Sequence, residues 1–341
     1  MPHWDFPRNV ISMRLMAELA VDIGISLAEV LAGTDVTPAQ LVDPELLVSG
    51  RQELQLIRNL VRHAGDVPGL GIQAGMRYHF TAFGVLGFAL VSSRSVRSAL
   101  DVGLQYIQLT FTFSRFVVSE QGDEALLQLM DDEVPEDVAA FVVERDMSAV
   151  ITVSRDLYDD APVLRDVRLR AAEPADTHTH ERFFRLRPRF GAGENAVAFD
   201  RARMEQSLQQ ANEQARQAAM AQCQSLLATR KARSGLAATV RDRLVTLSAQ
   251  MPTMADVADA LCLTVRTLRR RLLAEGVTFA ELREEVRMTL ADELLSGPRL
   301  SVEQIAERLG YAEPTSFINA FKRWYGTTPH VFRRRGTSAA V

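Results

Sequence analysis

Apolar positions recur at helical spacing through most of the chain, with a stretch of period-two alternation in the middle. Ile11, Leu15 and Leu19 fall four apart and predict a helical face. Ser26-Leu27-Ala28-Glu29 reads as a capping box, in which hydroxyl and carboxylate each satisfy an orphan amide. Thr37-Pro38-Ala39-Gln40 places a cap, a proline at the first helical position and Gln at the third. Ser49 opens a further helix carrying Leu54, Ile57, Leu60 and Val61. Phe80–Val91 is an apolar run holding Gly84 and Gly87, and Ser95 starts a helix through Leu100, Leu104 and Ile107. Phe113–Glu120 and Ala125–Met130 flank Gln121-Gly122-Asp123 and predict a hairpin. Pro135–Asp156 reads as a helix, and Val167–Ala171 and Ala196–Phe199 as strands. Residues 1–200 are therefore expected to form an α+β domain. Residues 201–235 carry few large apolar residues and read as a helical linker, with Met204, Leu208, Met220 and Leu226-Leu227 as a possible dimer seam.

Beyond the linker the pattern is helical throughout, and one motif occurs twice. In Thr253–Leu273, Thr253 caps a short helix with Met254, Val257, Ala258 and Leu261 inward. Cys262-Leu263 forms a turn. Thr264 then caps a second helix with Leu268 and Leu272 inward and Arg266, Arg269 and Arg270 outward. In Leu300–Tyr325, Ser301 and Gln304 cap a helix facing inward with Val302, Ile305, Ala306 and Leu309. Gly310 turns the chain, Pro314 starts the next helix, and Phe317 and Phe321 face inward. Thr315, Ser316, Asn319, Lys322 and Arg323 point away from that core. Two short helices joined by a tight turn form a helix-turn-helix, whose second helix enters a DNA major groove. Arginine suits that position because its planar fork donates two bonds to guanine O6 and N7. The alternative is an amphipathic helix with ordinary surface arginines. Between the motifs, Leu282, Val286, Leu290 and Leu294 recur every four residues and predict a rigid spacer helix. Such a spacer suits two readers about 34 Å apart, one turn of duplex.

Composition sharpens this picture. The chain has 341 residues and a net charge of −4. Residues 1–200 hold 18 basic and 29 acidic residues, a net of −11. Residues 201–236 hold 6 basic and 2 acidic, and residues 237–341 hold 15 and 12, so both are basic. An acidic half joined to a basic one fits a DNA reader tethered to a domain that does not read DNA. Two cysteines, Cys223 and Cys262, exclude a disulfide framework and a four-cysteine zinc site. The apolar run at Phe83–Val91 is too short to span a bilayer, and no signal peptide is evident at the start. A bacterial cytoplasmic location, associated with the nucleoid when on DNA, is expected.

The closing run Gly310-Tyr311, Ser316-Phe317, Ala320-Phe321-Lys322-Arg323, Gly326-Thr327-Thr328-Pro329 and Phe332-Arg333 resembles the AraC/XylS family of bacterial regulators over about 100 residues, 236–335. Thr81–Leu109, with its Gly84–Gly87 segment, resembles the N-terminal domain of the arabinose-binding-like subgroup. The resemblance implies an all-α C-terminal domain with two helix-turn-helix motifs behind an effector-sensing, dimerising domain. By analogy, Arg266, Arg269, Arg270, Thr315, Ser316 and Asn319 contact bases, and Thr264, Lys322, Arg323, Arg333 and Arg334 contact phosphates. Asn319 stands where relatives often carry arginine, which favours adenine there. Glu313 opposes a nearby phosphate, so the second reader is expected to grip more weakly.

Other chemistry fits less well. Gly69-Leu70-Gly71-Ile72-Gln73-Ala74 lacks the strand a dinucleotide fingerprint requires. Glu173, Asp176, His178, His180 and Glu181 are possible metal ligands, but a mobile polar loop accounts for them. No nucleophile elbow or P-loop is present, so no enzyme, metal or cofactor is expected. Phe80, Phe111 and a set comprising Arg77, Tyr78, Phe83, Phe88, Tyr106 and Phe113 are candidates for an effector pocket, with core packing and surface exposure as the plain alternatives. The expected function is sequence-specific transcription regulation under a small-molecule effector, as a homodimer on double-stranded DNA with RNA polymerase as a possible further partner. The alternatives are a regulator without an effector, or an enzyme fused to a helix-turn-helix.

Overall fold

Helix Ala139–Leu157 is the spine of the first half of the protein. It starts four residues later than the sequence suggests, because Val138, not Pro135, takes the N-cap position. Its closest neighbour is helix Leu70–Gly75, which lies almost backbone to backbone against it. A Cβ on Gly71 would stand 2.5 Å from the carbonyl of Phe141, and one on Gly75 would stand 2.5 Å from that of Arg145. The glycines of this segment therefore serve helix packing, not phosphate binding. The computed structural model describes residues 2–158, 164–233, 235–246, 251–296 and 300–338.

The caps read from sequence are present. The Glu29 carboxylate accepts from the Ser26 amide at 2.9 Å, and Gln52 accepts from that of Ser49 at 2.9 Å. Thr37 and Gln40 pair likewise, but they open a short 3-10 helix, Pro38–Val42. In helix Ile11–Asp22 the buried face is Met13, Met16, Ala17, Leu19 and Ala20. The stripe expected at Ile11 and Leu15 is only half-buried, because a spacing of exactly four drifts off one face of a 3.6-residue helix. The residues assigned to a mobile loop include a helix, His178–Phe184, with His180 buried and bonded to Glu144 at 2.8 Å.

Strands β1 (Arg8–Asn9) and β2 (Leu47–Val48) form a two-residue ladder. The main sheet contains β3 (Arg115–Gln121), β4 (Glu124–Met130), β5 (Leu164–Arg168) and β6 (Ala196–Asp200). Its order is β3-β4-β6-β5, antiparallel throughout. Gly122, at φ +62°, makes the predicted hairpin turn. Strand β5 begins three residues before the expected Val167, paired by Leu164 with Phe199. One face of the sheet packs Leu127, Leu129, Val167, Val197 and Phe199 against the spine helix and helix Val96–Gln105.

The chain divides into two compact units, Met1–Arg230 and Lys231–Val341. Residues 201–230, read from sequence as linker, pack with the first unit: Met204, Leu208, Ala219 and Cys223 are buried in its core. Arg230 donates to the Gln108 carbonyl at 2.9 Å. In the second unit, helix Gly235–Thr246 and helices Met254–Ala260 and Val265–Ala274 share one core with the first half of helix Phe279–Ser296. Helices Val302–Arg308 and Pro314–Tyr325 share a second core with its other half. Leu290 touches both cores. Farther along, the buried face of this spacer helix passes to Ala291 and Leu295, again by drift from the predicted four-residue spacing.

Candidate nucleic-acid interface and apolar cavity

Each motif in the second unit is built by the same local physics. In the first, the Thr253 amide donates to Asp256 at 2.8 Å and the Thr253 hydroxyl receives the Asp256 amide. The chain then turns through Cys262, which holds the left-handed conformation at φ +53°. The Leu263 amide closes the turn on the Ala258 carbonyl at 2.9 Å. Thr264 caps the next helix by accepting from the Thr267 amide at 3.2 Å. Leu268 and Leu272 are fully buried and fix the rotation of that helix about its axis. Arg266, Arg269 and Arg270 are consequently exposed, and with Val265 and Leu273 they line a shallow concave surface.

The second motif repeats the arrangement. Gln304 accepts from the Ser301 amide at 2.8 Å, Gly310 turns at φ +72°, and the Tyr311 amide closes on Ala306 at 2.9 Å. Phe317 and Phe321 are fully buried, while Thr315, Ser316, Asn319 and Lys322 face away from that core. Two groups that the sequence does not single out hold this motif to the spacer helix. Arg287 donates to the Leu309 carbonyl at 2.7 Å and to that of Gly310 at 2.8 Å, and lies 4.3 Å above the Tyr311 ring. It thereby satisfies carbonyls that the end of helix Val302–Arg308 leaves open. Glu284 accepts from the Trp324 indole at 2.9 Å and from Arg323. Arg323 thus braces the motif internally as well as facing solvent. The Thr264 hydroxyl is likewise engaged as a cap. Arg333 is half-buried in helix Pro329–Ser338, and the Arg334 side chain lies outside the described residues.

The first unit holds a partly open cavity of about 130 Å³ between helix Val96–Gln105, the spine helix and the sheet. Of the residues expected around an effector, Tyr78, Phe83 and Phe111 line it. The others do not. Arg77 pairs with Asp22 at 2.5 Å, and Phe88 points to solvent at 52% exposure. Phe80 packs half-buried against the core, and Tyr106 is buried in the core beyond the lining. Phe113 packs tilted against Trp4, ring centroids 5.0 Å apart, between the guanidinium groups of Arg8 and Arg145. Lining residues that the sequence did not point to include Leu100, Gly103, Phe116, Arg145 and Asp146. For Arg145 and Asp146 the visible signal was the run of adjacent charges Glu144-Arg145-Asp146 between apolar stretches of the spine helix.

Arg145 and Asp146 belong to a buried network. Arg145 donates to Asp146 at 2.7 Å, to Glu53 at 3.1 Å and to the Phe111 carbonyl at 3.0 Å. Arg8 donates to Glu53 at 3.2 Å, to the Phe111 carbonyl at 3.0 Å and to the Trp4 carbonyl. Asp146 also accepts from Thr112 at 2.7 Å and from the amides of Phe113 and Ser114 at 3.0 and 2.9 Å. Ser12 donates to Glu53 at 2.5 Å and so receives the Tyr78 hydroxyl at 2.6 Å. Two arginines face two carboxylates, so the cluster is neutral. Burial pulls the Arg145 guanidinium toward its neutral form, but Asp146, Tyr78 and Glu53 outweigh it and hold the group above its ordinary value. Burial pushes the Tyr78 phenol up to about 12.

Comparison with known proteins decides the family. The family model described as the N-terminal arabinose-binding domain of the AraC transcription regulator matches residues 24–208, and a helix-turn-helix domain model matches residues 257–335. The chain belongs to the AraC family of transcriptional regulators. An HTH-type transcriptional regulator of Mycobacterium tuberculosis is 36% identical over 331 residues, 96% of each chain. The ornithine utilization regulator of Pseudomonas aeruginosa is 27% identical over 321 residues, 93% of this chain and 94% of that one. The crystal structure of the regulator CdpR from Pseudomonas aeruginosa is similar with a TM-score of 0.49 and 27% identity, covering 95% of this chain and 98% of that one. As an AraC-type regulator, the protein binds DNA through its second unit. Among the described residues no helix is long and apolar enough to cross a membrane.

Proposed function

We infer that this AraC-family regulator reads its operator with two helices of unequal grip and is controlled by a small molecule held in the first unit. Arg266, Arg269 and Arg270 contact base edges from helix Val265–Ala274. Thr315, Ser316 and Asn319 do so from helix Pro314–Tyr325, and Lys322, Arg333 and Arg334 contact phosphates. The observation that carries this reading is the arginine row exposed opposite Leu268 and Leu272, which are both fully buried. A helix rotationally fixed by its core presents those three side chains as one surface, as major-groove reading requires. Arg323 and Thr264 serve first as internal brace and cap, and reach phosphate only by giving up those bonds. The apolar cavity of the first unit supports the effector role. The regulator acts in the bacterial cytoplasm as a homodimer and not as a catalyst, with RNA polymerase as its partner at the promoter.

The test is a footprint and gel shift on the promoter the protein controls. Arg269→Ala with Arg270→Ala is expected to weaken specific binding by roughly 5- to 150-fold for each bidentate arginine–base pair removed. Undiminished specific binding refutes the assignment of the readers. Sedimentation of the full chain tests the dimer, and a monomer at operator-binding concentrations refutes it.

A further inference from the structure

We propose that the cavity of the first unit takes a neutral, compact, hydrocarbon-like molecule, aromatic or short-chain alkyl, and that it excludes sugars, amino acids and charged metabolites. The proposal deepens the effector reading above and rests on it.

The first ground is that the polar donors of the wall are already committed. Among the described residues, six polar side chains reach the lining: Tyr78, Thr110, Thr112, Arg145, Asp146 and Ser154. Tyr78 is bonded to Ser12 at 2.6 Å, Thr110 to the Ile107 carbonyl at 2.7 Å, and Ser154 to the Val150 carbonyl at 2.8 Å. Thr112 donates its hydroxyl proton to Asp146 at 2.7 Å. All three nitrogens of the Arg145 guanidinium donate within the protein, to Asp146, Glu53 and the Phe111 carbonyl. Both carboxylate oxygens of Asp146 already accept. A sugar entering this space finds no uncommitted donor on these side chains and only the remaining lone pairs of their oxygens as acceptors, so most of its hydroxyls are left without a hydrogen bond, and each one so buried opposes binding.

The second ground is charge. Arg8 and Arg145 are balanced by Glu53 and Asp146, all four buried. A carboxylate or ammonium ligand would upset this balance in a low-dielectric interior, and burying an unpaired charge is strongly unfavourable. The rest of the wall is Leu86, Leu90, Leu100, Leu104, Ile107, Phe116 and similar hydrocarbon. Its volume of about 130 Å³ is close to that of apolar cavities that stay dry and accept benzene.

The experiment uses the full chain with Trp324→Phe, so that Trp4 alone reports unfolding of the first unit. Toluene and indole are the apolar probes, and L-arabinose and L-lysine the polar ones. At a hundredfold excess over Kd, an apolar probe should raise Tm by about 5–10 °C. Gly103→Leu grows into the cavity without a close contact, since a Cβ there meets only Leu90 at 3.8 Å. It should weaken toluene binding at least tenfold. Leu100→Ala enlarges the space and should admit naphthalene, which the parent excludes. A Tm rise with L-arabinose or L-lysine that Gly103→Leu abolishes overturns the ligand class and leaves the effector reading standing. No Tm rise with toluene or indole also overturns the class. Apolar probes that raise Tm but leave operator affinity unchanged support the class and count against the effector reading.

Discussion

Asp146→Asn strikes the buried network where its energetics are most legible. The carboxylate accepts five bonds: Arg145 Nε and Nη2 on one oxygen, and Thr112, Phe113 and Ser114 on the other. An asparagine of the same shape keeps one carbonyl oxygen. If that oxygen stays on the two amides, its NH2 group faces the guanidinium, donor against donor. The cluster also changes from neutral to a net charge of +1, with all its members nine-tenths or more buried. Breaking one partner of a buried pair costs about 3–5 kcal/mol. Against the usual ~5–15 kcal/mol of net stability, that is a large fraction. For a unit of this size ~1 kcal/mol corresponds to roughly 2–4 °C, so Tm of the first unit should fall by about 6–20 °C. Circular dichroism against temperature, together with urea titration, reads the change. Adding Arg145→Met restores neutrality, and the double variant should be less destabilised than the sum of the single ones by about 1–3 kcal/mol. A fall below about 2 °C, or strict additivity, refutes the view that charge balance holds this site.

Three further outcomes follow from the same geometry. The Tyr78 phenol is raised to about 12 from 10.0, so the folded state keeps this proton while the unfolded chain releases it. Stability should therefore fall by about 1.4 kcal/mol per pH unit between those two values, and Tyr78→Phe should flatten that slope in urea titrations at alkaline pH. Asn319→Ala should lower discrimination for adenine at one operator position by roughly 5- to 150-fold while sparing non-specific affinity, read by competition gel shifts. Leu268→Ala empties a fully buried site at the base of the first reader; it should cost about 2–5 kcal/mol and abolish the footprint of that half-site.

Capping and turn chemistry are local, and they made most of the fold legible in sequence. Ser26, Ser49, Thr253, Thr264 and Ser301 each mark a helix start, because a hydroxyl meets an amide only three residues away. The two helix-turn-helix motifs were readable for the same reason. Each lies within about 25 residues, and the four-residue spacing of Leu268 with Leu272, or Phe317 with Phe321, decides which side chains face outward. Where spacing of four was extended over longer helices, at Ile11–Leu15 and Leu290–Leu294, the buried face drifted away from it.

Tertiary structure alone decided what depends on contacts distant in the chain. Arg8, Glu53, Tyr78 and Asp146 converge from four separate segments, and the charge pattern of any one segment is silent about the others. Aromatic residues looked equally fit for pocket or core, and packing divided them: Phe83 and Phe111 to the cavity, Phe113 to the charged cluster, Phe88 to solvent. The brace from Arg287 to the second turn, 22 and 23 residues on, is invisible to helical periodicity for the same reason. The sequence by itself determined that this chain reads DNA, because that surface is written on single helices. The cavity belongs to no single element, so only the folded chain specifies its lining and charge balance.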